Sequence, residues 1–578
     1  MPRIHFGAAR VGPNKGKVIA VSEKPTTAGT PHRALSVRGM VIGGLGAAII
    51  TASSLYVALK LGALPWPIVF AALLSLFFLK LCGNTNLNEA NVTHTAMSAG
   101  AMVAGGLAFT IPGYWMLGNK EGIGFWEILL VALMGVAVGL VATAVLRKHF
   151  IEKAQLPYPM GVAAAESLKA SDESTSKQGK ALFGFMGISA IYAAIRDYVL
   201  KLPAMIGTAN IPGVAFGIYN SPMMFCVGFI IGPVAALVWI IGALIGDFGI
   251  VVGGTAAGLW DAASAAGIKS SLGMGLMLGA GVGVLFVQLL PKAFDALRRR
   301  RAAEAKVAGK VASRKTVITA SLVSAAVACV GALLLGLGLL PSILLVLGTW
   351  VAVLMACQSV GQTNIDPMEV FGVMVMLVIQ VCCHDVSLLS MFLIAGVVAV
   401  ACGMTGDVMQ DFKAGAILGT NPRDQWIAQA IGAVVGAVVS AVVLVALLGA
   451  FGADSFGVDK PFVAAQASVV AALAGGVPNA TAFVVGIVIG LVLAAFKLPC
   501  MTLGLGVYLP FYLSFTAFLG GMIKFAYDRY SAHKAKKKGV PVEETQGMGL
   551  AVASGIIGGE SLVGVIGALV VMGMAFFS

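Results

Sequence analysis

The chain has 578 residues, 59% hydrophobic and only 11% charged, with a mean hydropathy of +0.95. Soluble domains carry about 25% charged residues, so this balance excludes a soluble globular protein and describes a polytopic membrane protein. The net charge of +13 gathers in a few loops and the N-terminus, where it sets orientation across a bilayer and gives no reason to expect nucleic acid as a partner.

Residues 1–36 are polar and basic, broken by Pro and Gly, without a cleavable signal pattern, and read as a cytoplasmic tail. A first transmembrane half, 37–291, offers apolar runs near 37–60, 63–81, 90–112, 124–146, 181–200, 216–250 and 272–291. A membrane helix needs about 20 such residues. Leu156 to Leu168 carries Pro157 and Pro159 and reads as a broken or re-entrant helix. At membrane depth such a segment must line a cavity or pack on protein. Residues 292–315, with Arg298 to Arg301, form a basic linker, cytoplasmic like Arg147-Lys148. The second half, 316–578, offers runs near 316–339, 342–360, 368–383, 386–404, 426–452, 461–475, 480–497, 500–523 and 547–577. The expected architecture is all-α, with about sixteen transmembrane helices including broken or re-entrant ones.

Two short matches suggest sequence-related halves. Leu202-Pro-Ala-Met205 and Leu498-Pro-Cys-Met501 each close one run and open another, and Gly273-Met-Gly-Leu276 returns as Gly547-Met-Gly-Leu550. Transporters place their substrate site between such repeats. Glycine pairs four apart (39/43, 135/139, 228/232, 432/436, 486/490) suit close helix packing in lipid. The eight cysteines include no CxxC and read as small buried apolar groups.

A charge at the bilayer centre costs about 2.5–3.5 kcal/mol on insertion scales, so polar groups in apolar runs are the functional candidates. Asp407, Gln410, Asp411 and Lys413 lie between the run ending at Cys402 and the one opening at Trp426. They line a wet cavity, pair with one another, or sit at the membrane surface. On a helix Asp407 and Asp411 share a face and repel, which Lys413 or a proton relieves. Glu89 and His94 are five apart and do not share a face. Tyr158 and Glu166 belong to the Pro-broken segment, and Gln362, Asn364, Asp366 and Glu369 join two runs. Asp366 is either a helix cap or part of a polar path. His384-Asp385 reads as an interfacial turn, with Asp247 and Asp261 flanking an external loop. Glu560 sits deep in the last run, where a purely structural role is hardest to supply. Tyr508, with Tyr158, Gln362 and Asn364, offers uncharged hydrogen-bonding groups. Acidic and amide groups from distant segments are thus expected to meet in one hydrated chamber.

No GxxxxGK[ST], HExxH or GxSxG pattern occurs, and no Cys/His cluster has metal spacing. Neither an enzyme nor a resident cofactor or metal is expected. A channel would repeat one polar ring, whereas these groups are chemically unlike.

The stretches Asn88-Glu89 to Gly100, Gly106 to Pro112, Leu156-Pro-Tyr-Pro to Glu166, Asn220-Ser-Pro222 with Gly228 to Pro233, Gly406-Asp-x-x-Gln-Asp-x-Lys413 with Gly419 to Pro422, Val507-Tyr-Leu-Pro510 and Ser554 to Glu560 resemble the oligopeptide transporter family. The likeness is to its prokaryotic branch, related to the yellow-stripe-like metal-chelate transporters. Met160 stands where that family usually has an acidic residue, and Gln362 to Phe371 departs from the eukaryotic peptide-transporting members. The resemblance implies a multi-pass protein of the cell membrane, in bacteria the inner membrane. It also implies proton-coupled symport of short peptides or, alternatively, of metal–chelate complexes, with a homodimer as one assembly.

Overall fold

A computed structural model of the chain describes residues 34–577 except 63, 65–67, 120–121, 171–174, 284–313, 364–365, 384, 407, 458, 497 and 539–541. Asn364, His384 and Asp407 therefore lie outside the described residues, as do the side chains of Glu166 and Gln362.

In chain order the helices are α1 (Val37–Leu61), α2 (Ile68–Leu81), α3 (Leu87–Ala108), α4 (Pro112–Met116), α5 (Phe125–Arg147), α6 (Pro159–Ala170) and α7 (Thr175–Ala194). A two-stranded hairpin follows, β1 (Met205–Ile211) and β2 (Val214–Tyr219). Then come α8 (Pro222–Ile231), α9 (Pro233–Ala243), α10 (Ala262–Gly283), α11 (Arg314–Leu334), α12 (Leu339–Thr363), α13 (Met368–Cys382), α14 (Leu388–Gly406) and α15 (Val408–Leu418). The last are α16 (Pro422–Phe451), α17 (Ala465–Gly475), α18 (Ala480–Ala495), α19 (Cys500–Tyr508), α20 (Phe511–Lys538) and α21 (Val542–Phe577). Among the described residues ten helices are long and apolar enough to cross a membrane, and five more apolar helices are shorter. The protein is a multi-pass, mostly helical membrane protein.

Helix α3 is the axis. Its whole apolar window is buried inside the protein, whereas α12 and α7 have only a third or less of theirs buried. Small residues permit this enclosure. A side chain at Gly436 of α16 would meet Gly100 of α3 at 2.5 Å, and one at Gly43 of α1 would meet Ala96 at 2.9 Å. In lipid, where apolar burial does not separate helix from solvent, such backbone approach supplies the packing energy. The pairs 486/490 and 135/139 behave alike, against α10 and α14. Gly232 does not. It has φ +87° with no atom near its Cβ position, and it breaks the chain between α8 and α9.

Several expectations are corrected. The fold is not purely helical, because Ile211-Pro-Gly-Val214 turns the chain into an antiparallel hairpin with Met205 opposite Tyr219 and Gly213 at φ +76°. Proline then glycine is the sequence of such a turn. The run 216–250 is accordingly hairpin, α8, a Gly232 break and α9, and Leu202-Pro-Ala-Met205 opens a strand instead of a span. The run 500–523 divides at Pro510 into α19 and α20. Asp366 does not cap α13: the N-cap position is Pro367, with no side-chain bond. Asp247 flanks no loop, since the helix runs on through it as a π-helical stretch, Leu244–Gly254, and its carboxylate is buried. Asp261 is the residue that caps, its Oδ1 accepting the Ser264 N–H at 2.7 Å, which holds this exposed carboxyl below its usual range. Cys82 and Cys382 are exposed, unlike the buried Cys226, Cys357, Cys402 and Cys500.

Candidate functional site

The first polar group surrounds α3. The Asn86 side chain accepts the Glu89 N–H at 2.8 Å and starts the helix. Glu89 then accepts from Arg38 Nε (2.8 Å) and Nη2 (2.7 Å), Ser36 Oγ (2.5 Å) and Thr85 Oγ1 (2.7 Å). Its lone pairs are occupied, and it clamps the first turn of α1 to α3. His94, on a different face as the spacing requires, brings Nε2 to 3.4 Å from Asp411 Oδ1, both side chains fully buried. Gln425 Nε2 donates to the Asp411 carbonyl oxygen at 2.9 Å and to Thr95 Oγ1 at 3.3 Å. Thr420 Oγ1 donates to Asn88 Oδ1 at 2.8 Å. Sequence spacing hid the link from α15 and α16 to α3, because it spans more than 300 positions.

The broken segment is held by the same group. Gln410 Oε1 accepts the Met160 and Gly161 N–H groups at 3.0 and 3.2 Å, capping α6 from α15. Lys413 Nζ donates to the Leu156 carbonyl oxygen at 2.9 Å. Tyr158, in left-handed conformation at φ +43°, donates its N–H to Gly361 O and its hydroxyl to Cys357 O at 2.9 Å. Asp366 reaches the end of α14, where its Oδ2 lies 2.9 Å from the Cβ position of Gly406. His94, Tyr158, Gln410, Asp411, Lys413 and Asp366 are thus gathered around α6 and α15, in the stretch that carries the Gly-Asp-x-x-Gln-Asp-x-Lys pattern.

Glu560 belongs elsewhere. Its carboxylate accepts from Arg196 Nη1 (2.8 Å), Ser221 Oγ (2.6 Å) and the Met223 N–H (2.9 Å) at the start of α8. Arg196 also donates to Asp197 and to the Asn220 carbonyl oxygen. A third pair, Lys269 Nζ to Asp247 Oδ1 at 2.7 Å, joins α10 to the stretch after α9. Tyr508 is buried against Gly273 of α10 and meets the Ser468 side chain.

Glu369, in the first turn of α13, is different. It is 3% exposed, and among the described residues it makes no ion pair and has no hydrogen-bond donor beyond its own backbone N–H. A side chain at Gly105 of α3 would meet Leu64 at 3.2 Å and Met368 at 3.9 Å. The start of α13 therefore reaches the last turn of the axis helix, from the side on which the chain leaves α1.

The described candidates do not meet in one chamber; they form separate groups. A cavity of about 260 Å³, lined by Ile49, Ser53, Phe78, Leu182, Phe183 and Ile557, is almost wholly apolar. It lies between α1, α2, α7 and α21. Lys60 and Arg196 are cations inside the apolar runs 37–60 and 181–200, as legible there as the acids, whereas Lys269 stands just before the run 272–291.

The comparisons with known proteins fit this arrangement. A family model described as "OPT oligopeptide transporter protein" matches residues 34–571. A Haemophilus influenzae protein (strain ATCC 51907 / DSM 11121 / KW20 / Rd) described as "Putative oligopeptide transporter" is 26% identical over 593 residues, which cover 89% of this chain and 92% of its own length. Because the family match takes in nearly every described helix, the chain is a transporter, not an enzyme, and belongs to the OPT oligopeptide transporter family.

Proposed function

We propose that this protein is a proton-coupled symporter that carries short peptides across the cell membrane. The observation that carries the coupling is Glu369, a buried carboxyl with no countercharge among the described residues. Removing a proton there creates an uncompensated charge in a buried site, which costs several kcal/mol or recruits water and a partner. An access state that hydrates Glu369 would favour the charged form, and one that keeps it dry would favour the proton. That difference couples protonation to conformation. Glu560 and Glu89 are poor carriers by the same reasoning, since their lone pairs are already taken by cations and hydroxyls.

The peptide reading rests on family membership and on the printed name of the Haemophilus influenzae relative. Buried amides and hydroxyls around α6 and α15 suit a solute recognised through its backbone. The proposal includes about sixteen membrane-crossing or re-entrant segments, a cytoplasmic N-terminus and basic linker, and a path between two halves on either side of that linker. Reconstituted protein should accumulate a labelled tripeptide when the outside is acidic and stop when the pH gradient is collapsed. Uptake indifferent to the gradient removes the coupling. Uptake confined to a metal-charged chelate replaces the solute.

A further inference from the structure

Most buried charges in this protein are matched. Lys60, in the last turn of α1, is not. Its Nζ donates to the Tyr219 hydroxyl at 3.4 Å and lies 5.8 Å from the Tyr56 ring centre and 5.3 Å from that of Phe462. Tyr512 packs its ring 5.5 Å from that of Tyr219. No carboxylate pairs with Lys60 among the described residues. A last-turn lysine that merely complements the helix dipole would extend into water; this one is half-buried among aromatic rings.

A second feature meets it there. The Ala464 N–H donates to the Leu59 carbonyl oxygen at 2.8 Å, stitching the start of α17 to the end of α1. No side chain caps α17. Its first helical bond runs from the Ser468 N–H to Ala464 O, and the N–H groups of Ala465, Gln466 and Ala467 find no acceptor among the described residues. Gln466 is 6% exposed, and its Oε1 has no hydrogen-bond partner. Orphan amides at a buried helix start form a ready anion site, and a desolvated ammonium seeks the same partner.

We propose that Lys60 and the first turn of α17 bind the free C-terminal carboxylate of the transported peptide. The Gln466 carbonyl oxygen accepts the N–H of the peptide's last residue, and the tyrosine rings flank its backbone. One carboxylate then satisfies the cation and the orphan amides together. The site lies where the first half (α1, β2) meets the second (α17, α20), and it rests on the peptide reading above. Lys413, the cation of the α15 group, is already engaged by Leu156 O.

The test compares trialanine with trialaninamide, which differ only at the C-terminus. Purified wild-type protein should bind trialanine at least about tenfold more tightly. Lys60→Met should bind both peptides as the wild type binds the amide, and Lys60→Arg should keep part of the preference. Trialanine, but not its amide, should also slow acetylation of Lys60 in the wild type, followed by mass spectrometry, a readout that needs no variant to fold. A Lys60→Met protein that keeps the full preference overturns the assignment, as does Lys60 labelling that trialanine leaves unchanged. Wild-type protein that takes up both peptides equally sinks the Lys60 site and leaves peptide transport standing. Uptake of neither sinks both.

Discussion

Arg196 Nη1 donates to Glu560 Oε1 at 2.8 Å across 364 positions of chain, with both side chains nearly enclosed. The bond ties the π-helical turn after α7, Ile195–Val199, to the middle of α21, and Ser221 and the Met223 N–H bring the start of α8 to the same carboxylate. This is a junction between three segments that meet only in the folded chain.

Breaking one side of that junction should be costly. Glu560→Met leaves Arg196 with an incomplete set of acceptors, and removing one partner of a buried pair costs about 3–5 kcal/mol. The double variant Arg196→Met/Glu560→Met should be less destabilised than Glu560→Met alone, since no buried charge is left short of a partner and the carboxylate that loses Arg196, Asp197, is exposed to solvent. Thermal unfolding in detergent, followed by tryptophan fluorescence, checks the order; a double variant worse than both singles would contradict it.

Glu369→Gln should leave the protein folded and remove driven transport. The amide keeps the size of the side chain and abolishes its titration. Proteoliposomes should lose pH-gradient-driven tripeptide accumulation by at least about tenfold, while tripeptide exchange at equal pH continues. Normal accumulation would assign the proton to another group.

Gln410→Ala should loosen the broken segment. It removes the acceptor for the Met160 and Gly161 N–H groups, and loss of a helix cap costs about 0.5–2 kcal/mol. Hydrogen exchange should quicken at the start of α6 and stay unchanged in α10, which Gln410 does not touch.

Gly436→Ala should destabilise by about 1–3 kcal/mol, the usual cost of overpacking, because the added methyl would stand 2.5 Å from Gly100. Alanine's better helix propensity, worth about 1 kcal/mol, does not offset that. Gly44→Ala is the control: nothing lies within 4 Å of its Cβ position, so it should be neutral or slightly stabilising.

Much of this was readable before any coordinates. The run expected over 124–146 is α5 at Phe125–Arg147, and the one over 368–383 is α13 at Met368–Cys382. In lipid a mostly apolar run satisfies its backbone hydrogen bonds within itself as a helix. Pro157 and Pro159 announced the break before α6, and the five-residue spacing of Glu89 and His94 announced their different faces. The hairpin at Ile211-Pro-Gly-Val214 was missed although its turn residues were present, because the apolar strand beyond it merged with the next helix into one long run.

What the sequence determined by itself is the medium, the helical segments and the polar residues too expensive to leave in lipid, since each follows from local composition and spacing. Which of those residues pair was decided only by the tertiary structure. Glu89 closes on Arg38, Glu560 on Arg196, and Asp411 faces His94, while Glu369 and Lys60 find no opposite charge among the described residues. Partnership across a buried interface depends on which helix faces approach, and that is fixed by glycine-to-backbone contacts such as Gly436 on Gly100, which no stretch of sequence contains.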